Sequence, residues 1–115
     1  MTLENLIALT GAKNMTPGLP LDTQVSCGYT CDLLSWVMAH GKQGMAWITV
    51  QTHMNVIAVA TLLDMACVIL PENIAIEQAT LDKATEEEIP VLGSGKTSYE
   101  LAGLLYAQGV QSPVK

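Results

Sequence analysis

The stretch that decides the fold of this 115-residue chain is Met45–Asp64, which reads MAWITVQTHMNVIAVATLLD. Its first part, Met45–Val50, predicts a buried strand, and Met54–Leu63 predicts an apolar helix directly after it. The polar triplet Gln51-Thr52-His53 stands between the two. Open α/β sheets bind ligands at this place, because side chains and free helix N–H groups converge outside the strand ends. The stretch therefore predicts a fold and a site, without naming the ligand.

Strand and helix patterns alternate from Thr23 onward. After a first helix over residues 3–9, capped by Thr2, the predicted strands cover residues 23–28, 45–50, 66–70 and 89–92, and the predicted helices cover residues 31–40, 54–63, 76–87 and 97–108. Asp32 is expected in the first turn of its helix. The pattern predicts right-handed βαβ crossovers and an α/β domain over residues 1–109, with a mostly parallel sheet of about four to five strands and helices on both faces. Residues 110–115 are predicted to form a flexible tail.

Composition excludes several classes of protein. The chain has a net charge of −6, with five lysines and no arginine, which argues against binding to nucleic acid. Its uninterrupted apolar runs are far shorter than the roughly 20 residues of a membrane helix. No secretory signal pattern is visible at the start, so we expect a cytoplasmic protein that does not bind a membrane.

The three cysteines and two histidines do not form a recognisable metal motif. Cys27, Cys31 and Cys67 contain no CxxC pair, and an odd number of cysteines favours free thiols in a reducing compartment over a disulfide framework. A zinc site built from Cys27, Cys31 and two distant histidines would be a weak case. We therefore expect neither a metal nor a cofactor.

Hydrophobicity predicts a partner subunit. Half of the residues are hydrophobic and only 14% are charged, which is unusual for a small monomer. The helix over Met54–Leu63 is apolar almost all round, and a helix without a polar side has to be covered on more than one side. We expect a homodimer, with four candidate contact residues: Trp36, Met54, Ile57 and Thr61.

Gly93-Ser-Gly-Lys-Thr-Ser98 imitates a nucleotide-binding P-loop. That motif needs a glycine five positions before the glycine of the Gly-Lys pair, and Pro90 stands there. Thr97 and Glu100 instead predict a capping box at the start of the last helix. Binding of an anion or a nucleotide, either at this helix start with the help of Lys96 or at the interface between two subunits, stays open as an alternative.

Three polar loops are expected to outline one shallow cleft at the carboxyl ends of the strands. The candidate ligand-binding residues are Ser26, Gly28, Tyr29, Asp32, Gln51, Thr52, His53, Asn55, Gly93, Ser94, Lys96 and Thr97. Several of them have a structural alternative, such as capping by Thr52 or His53 and helix-start stabilisation by Asp32. A small enzyme using His53 with Asp32 or Cys27 is the competing hypothesis, although no catalytic triad can be assembled from the sequence, and we predict no catalytic residues.

The chain resembles the DRTGG domain family. The resemblance lies in Asp22–Asp32 (DTQVSCGYTCD), in the following LLSWVMAH and WITVQTHMNVIAVA segments, and in EEEIPVLGSGKTSYELAGLLY near the end. It covers about residues 3–106. The segment that gives the family its name is only partly kept. Thr23-Gln24 and Ser26-Cys27-Gly28 stand where the family usually has an arginine and a Gly-Gly pair.

The resemblance implies a small α/β module similar to the N-terminal domain of HPr kinase. Such modules accompany CBS domains in regulated pyrophosphatases, occur in long phosphate acetyltransferases, and also stand alone. In that family they imply a non-catalytic, dimerising, regulatory role with an undefined ligand. The resemblance further implies a free-standing bacterial or archaeal protein linked to anaerobic metabolism.

Overall fold

The computed structural model describes residues 1–113. They form five helices and five strands: α1 (Leu3–Thr10), β1 (Lys13–Asn14), β2 (Cys27–Thr30), α2 (Leu34–His40), β3 (Met45–Ile48), α3 (Met54–Leu62), β4 (Cys67–Leu70), α4 (Gln78–Glu86), β5 (Val91–Gly93) and α5 (Ser98–Ala107). No helix of this part of the chain is long and apolar enough to cross a membrane.

The strands form one sheet in the order β1-β5-β4-β3-β2. β2 to β5 are parallel neighbours, and only β1 is antiparallel, pairing with β5. Each crossover from β2 to β5 moves to the adjacent strand in the same direction, so α2, α3 and α4 lie on one face. The predicted mostly parallel α/β sheet is confirmed.

Each face of the sheet has its own hydrophobic core. On one face, α2, α3 and α4 pack around the fully buried Trp47, with Ile57 and Val68 among its neighbours. On the other face, α1 and α5 pack on Ile48 and Ile69. Helices on both faces are therefore confirmed, and the central strands are buried on both sides, as parallel strands usually are.

Helix caps follow the sequence closely. Thr2 and Asn5 form a capping box at α1, which ends at Gly11 in the left-handed conformation with φ of 69°. Thr97 and Glu100 form the predicted capping box at α5, and these hydrogen bonds hold the pKa of the Glu100 carboxyl below its usual value. Local sequence therefore determines where these two helices begin.

The region before β3 differs from its prediction. The strand expected at residues 23–28 lies at Cys27–Thr30, and the helix expected from Cys31 begins at Leu34. The Asp32 side chain is hydrogen-bonded to the β3–α3 loop, which keeps this residue outside the helix. The placement of Asp32 in the first helical turn was therefore wrong.

The segment after α5 contacts β2. The Gly28 N–H donates to the Gln111 carbonyl at 2.8 Å, and Val110 packs on the core beneath α5. The predicted tail at 110–115 includes residues 114–115, which lie outside the described residues. Its flexibility stays a prediction.

A pH-dependent loss of stability is expected from Cys67. Burial raises the pKa of this thiol from its ordinary 9.0 to about 12. The folded state therefore keeps a proton on the Cys67 thiol that the unfolded chain releases above pH 9. The contribution of this thiol to the free energy of unfolding is fully present below pH 9, and it is lost as the pH rises from 9 to about 12. Between pH 8 and pH 10 the loss should be about 1.4 kcal/mol.

Urea unfolding of the wild type and of Cys67→Ala at both pH values measures this loss. The variant should lose less stability than the wild type by that amount, since every other titrating group is shared. An identical pH dependence of the two proteins would show that Cys67 contributes nothing.

Candidate functional site

The carboxyl ends of the four parallel strands share one edge of the sheet, which we call the carboxyl rim. It consists of the loops at residues 31–33, 49–53, 71–77 and 94–97. Three of these loops hold predicted site residues. The loops that follow β2 and β3 are hydrogen-bonded to each other and are called the first unit. The loops that follow β4 and β5 are likewise bonded to each other and are called the second unit.

Asp32 organises the first unit. Its Oδ1 accepts hydrogen bonds from the Thr49 hydroxyl and from the Val50 N–H, both at 2.9 Å, and the Gln51 side-chain amide donates to the Asp32 carbonyl at 3.1 Å. Thr49 is fully buried, so its hydroxyl needs this partner. Asp32 thus joins the ends of β2 and β3, and the Gln51 side chain is held across them.

His53 caps α3. Its Nδ1 accepts from the Asn55 N–H at 3.1 Å, while the ring itself is exposed. Among the described residues no hydrogen bond joins His53 to Asp32 or Cys27, and Cys27 is buried in β2. The geometry that the enzymatic hypothesis required is thus not present. The structure favours capping for His53, beside a half-buried Thr52.

The second unit joins the loops after β4 and β5. Glu72 N–H donates to Lys96 O at 2.9 Å, and Asn73 N–H donates to Ser94 O at 2.8 Å. Both Glu72 and Asn73 have positive φ, 57° and 54°, as in a type I′ turn, and Ile74 N–H closes the turn on Pro71 O. These two loops therefore support each other through their backbones.

Hydrogen bonds within the 93–98 loop and to α5 occupy two of the backbone N–H groups that an anion would need there. The Lys96 N–H donates to the Ser94 hydroxyl, and the Thr97 N–H donates to Glu100 Oε1. The Glu100 carboxylate also places a negative charge at the start of α5. Gly93 ends β5 with the Met15 sulfur so close that an added Cβ would lie 2.7 Å from it, which is a packing reason for that glycine.

Tyr29 contributes to a partly exposed cluster of aromatic rings with Trp36 and His40. Its Oη accepts from Trp36 Nε1 at 2.8 Å, and the Trp36 ring stacks on His40 with centroids 4.3 Å apart. His40 Nδ1 also lies 2.9 Å from the Trp36 carbonyl oxygen. Trp36 is therefore held in one orientation although half of its surface is exposed.

Two predicted site residues lie away from the carboxyl rim. Ser26 precedes β2 at the opposite edge of the sheet, where its hydroxyl donates to Gln43 O at 2.6 Å and borders an open cleft of about 590 Å³. Gly28 lies within β2 and allows the close approach of Val110. The expectation that Ser26 shares a cleft with Gln51 was therefore wrong, because the strand starts later than predicted.

The outer surface of α2 and α3 is apolar. Trp36 and Met54, both predicted contacts, are exposed, whereas Ile57 is 1% exposed and faces the sheet. Thr61 is half-buried and donates to the Ile57 carbonyl. Ile57 is thus unavailable as a contact residue. The exposed apolar side chains that the sequence interpretation missed are Leu33, Met38, Val50 and Leu62.

The fold is similar to part of a Clostridium perfringens protein. That structure contains the CBS and DRTGG domains of the regulatory region of a pyrophosphatase, complexed with its activator, diadenosine tetraphosphate. The TM-score is 0.71 at 12% sequence identity, and the match covers 97% of this chain and 50% of that chain. This chain therefore spans about half the length of that structural neighbour, and the likeness supports a DRTGG-like fold.

Neither a family model nor a curated protein matches the sequence.

Proposed function

We propose that this chain is a non-catalytic regulatory module of the DRTGG family, which acts as a homodimer and binds a small ligand. The fold supports the proposal, since the structural neighbour described above belongs to a regulatory region with a nucleotide activator. The sequence resemblance over residues 22–32 and 47–60 points the same way. The homodimer is proposed from the composition of one surface, the outer face of α2 and α3, which we call the uncharged face.

The uncharged face suits a second copy of the same acidic chain. From residue 33 to residue 63 the only acidic or basic side chain, histidines aside, is that of Lys42. With a net charge of −6, two copies repel each other over most of their surfaces. The uncharged face lacks that repulsion, and it exposes Leu62 to 70% and Leu33 to 62%. Exposed apolar surface of this kind marks interaction sites.

Trp36 has the properties of an interface anchor. The Tyr29 hydroxyl accepts a hydrogen bond from the Trp36 Nε1, and the His40 ring stacks on the indole. Because the Trp36 side chain is already ordered, association costs little of its conformational entropy. Tryptophan is enriched among the residues that dominate binding energy at interfaces. A preorganised Trp36 beside Leu33 therefore supports a specific contact.

The proposed ligand-binding role draws on the polar carboxyl rim. Asp32 and Gln51 are held rigidly there, and the exposed His53 and Asn55 flank them. Such groups orient a ligand without requiring a reaction. A nucleotide or another anion at residues 93–98 is the weaker alternative, because the Lys96 and Thr97 N–H groups already have partners.

Replacement of Leu62 by lysine should dissociate the homodimer. A charge on the uncharged face would have to be buried without a partner, which costs several kcal/mol at an interface. Light scattering coupled to size exclusion should give twice the 12.3 kDa subunit mass for the wild type and a single subunit mass for Leu62→Lys at the same tens-of-micromolar concentration.

The matched control is Tyr99→Lys, which replaces an even more exposed apolar residue on α5. This variant should stay dimeric. A monomeric wild type, or equal dissociation of the two variants, would exclude the uncharged face as the interface.

A further inference from the structure

A slot between α5 and the free edge of β2 is separate from the carboxyl rim. Its volume is about 200 Å³, and most of its walls are apolar. Its lining residues are Gly28, Tyr29, Thr30, Ile48, Ala102, Leu105, Tyr106, Val110 and Ser112. Tyr106 is 65% exposed, so the phenol stands at the solvent side of the slot.

The backbone of β2 supplies the polar part of the slot. Cys31 N–H donates to Ile48 O in β3, whereas Gly28 N–H points away from the sheet and donates to Gln111 O. In a parallel ladder successive residues alternate between the two sides, so Thr30 turns its N–H and C=O outward, as Gly28 does. Among residues 1–113 no hydrogen-bond partner is recorded for the Thr30 N–H or for the Gly28 C=O.

The two outward backbone groups form a donor–acceptor pair, since the acceptor at Gly28 is followed two residues later by the donor at Thr30. The Gly28 C=O and the Thr30 N–H can together bind a planar ring that carries a donor beside an acceptor, as the amino group and ring nitrogen of a purine do. Apolar walls, with small polar groups that fix orientation, are typical of small-molecule sites. The volume of about 200 Å³ is sufficient for one such ring.

The lining of the slot and the path of residues 110–112 argue against a phosphate group or an added strand as the occupant. Among residues 1–113 no lysine lines the slot, so this part of the chain offers phosphate groups no cation there. An added strand would need a row of free backbone groups, but Gln111 already occupies the Gly28 N–H. Val110 also packs so closely that a Cβ at position 28 would lie 3.3 Å from its Cγ1.

We propose that this slot binds an uncharged planar heterocycle of purine-base size, whose donor and acceptor pair with the Gly28 C=O and the Thr30 N–H. The proposal extends the ligand-binding role proposed above, to a different place in the molecule. It requires no second subunit, since every lining group belongs to one chain.

The test is an NMR titration of the ¹⁵N-labelled full chain with an adenine methylated at N9, whose amino group is its one hydrogen-bond donor, and with the N6,N6-dimethyl derivative of this base as the matched probe. The N9-methylated adenine should shift the amide signals of Gly28, Thr30 and Ala102 with a saturable dependence on concentration. The dimethyl compound has lost its donor and should bind at least tenfold more weakly. Ala102→Leu should weaken adenine binding at least tenfold by filling the slot, whereas Ala107→Leu, at an exposed position of the same helix, should not.

The same titration with Leu62→Lys separates this proposal from the homodimer, because the slot should bind adenine equally in a monomer. Absence of saturable shifts at Gly28 and Thr30, equal binding of the two probes, or equal effects of Ala102→Leu and Ala107→Leu would overturn the proposal. If an extended peptide, and not adenine, shifted the amide signals of Gly28 and Thr30, the β2 edge would bind a partner strand and the heterocycle proposal would be wrong.

Discussion

Asp32→Ala should destabilise the protein by about 2–3 kcal/mol, because two hydrogen bonds to one carboxylate oxygen are lost together. The Thr49 hydroxyl, which is fully buried, loses its acceptor, and the Val50 N–H loses its hydrogen bond to the same oxygen. The side-chain link between the carboxyl ends of β2 and β3 would then be lost. Urea unfolding monitored by circular dichroism measures the loss.

Asp32→Asn is the matched control, since its amide oxygen still accepts from both groups, and it should cost under half as much. A double-mutant cycle with Thr49→Val isolates the pair and should give a coupling of about 1 kcal/mol or more. If Asp32→Ala changed stability by less than 0.5 kcal/mol, the carboxylate would be free for another role, and the structural interpretation of Asp32 would fail.

Trp47→Ala should cost about 3–5 kcal/mol, the usual range for deleting a large buried aromatic side chain. Trp47 is fully buried under α2 and α3, and its Nε1 donates to Cys31 O at 2.8 Å. Removal therefore leaves a cavity and also frees the loop that leads to Asp32. Chemical unfolding gives the stability, and hydrogen exchange of residues 31–33 reports on the loop.

Trp47→Phe separates the two effects. Phenylalanine keeps most of the packing but lacks the N–H, so we expect a smaller loss of stability together with faster exchange in the 31–33 loop. Faster exchange in Trp47→Ala alone would mean that packing, and not the Cys31 hydrogen bond, fixes that loop.

The sequence predicted those parts of the fold that depend on local patterns. The alternation of apolar strands and helices from Met45 to Leu70 specified the parallel sheet, and the Thr97–Glu100 capping box placed the start of α5. It could not predict β1, which is only two residues long and exists through pairing with β5. Nor could it place the start of α2, which depends on a bond from Asp32 to Thr49, 17 residues away.

The exposed side of α3 was unpredictable for a physical reason. Because almost every residue of the helix is apolar, the pattern does not distinguish the side that faces the sheet from the side that faces outward. Ile57 and Leu62 look alike in sequence, yet the first is buried and the second is 70% exposed. The slot at β2 was equally hidden, since it forms only where residues 110–112 return to the edge of the sheet.

An isotope-filtered NOE experiment tests the central claim most directly. In a mixed sample, half of the chains carry ¹³C and ¹⁵N and half carry neither, so that only contacts between two subunits give signals. We predict intermolecular NOEs between the Trp36 ring and the methyl groups of Leu33 or Leu62. Intermolecular NOEs from Tyr99 or Tyr106 instead, or none at concentrations of hundreds of micromolar, would contradict a homodimer formed through the uncharged face.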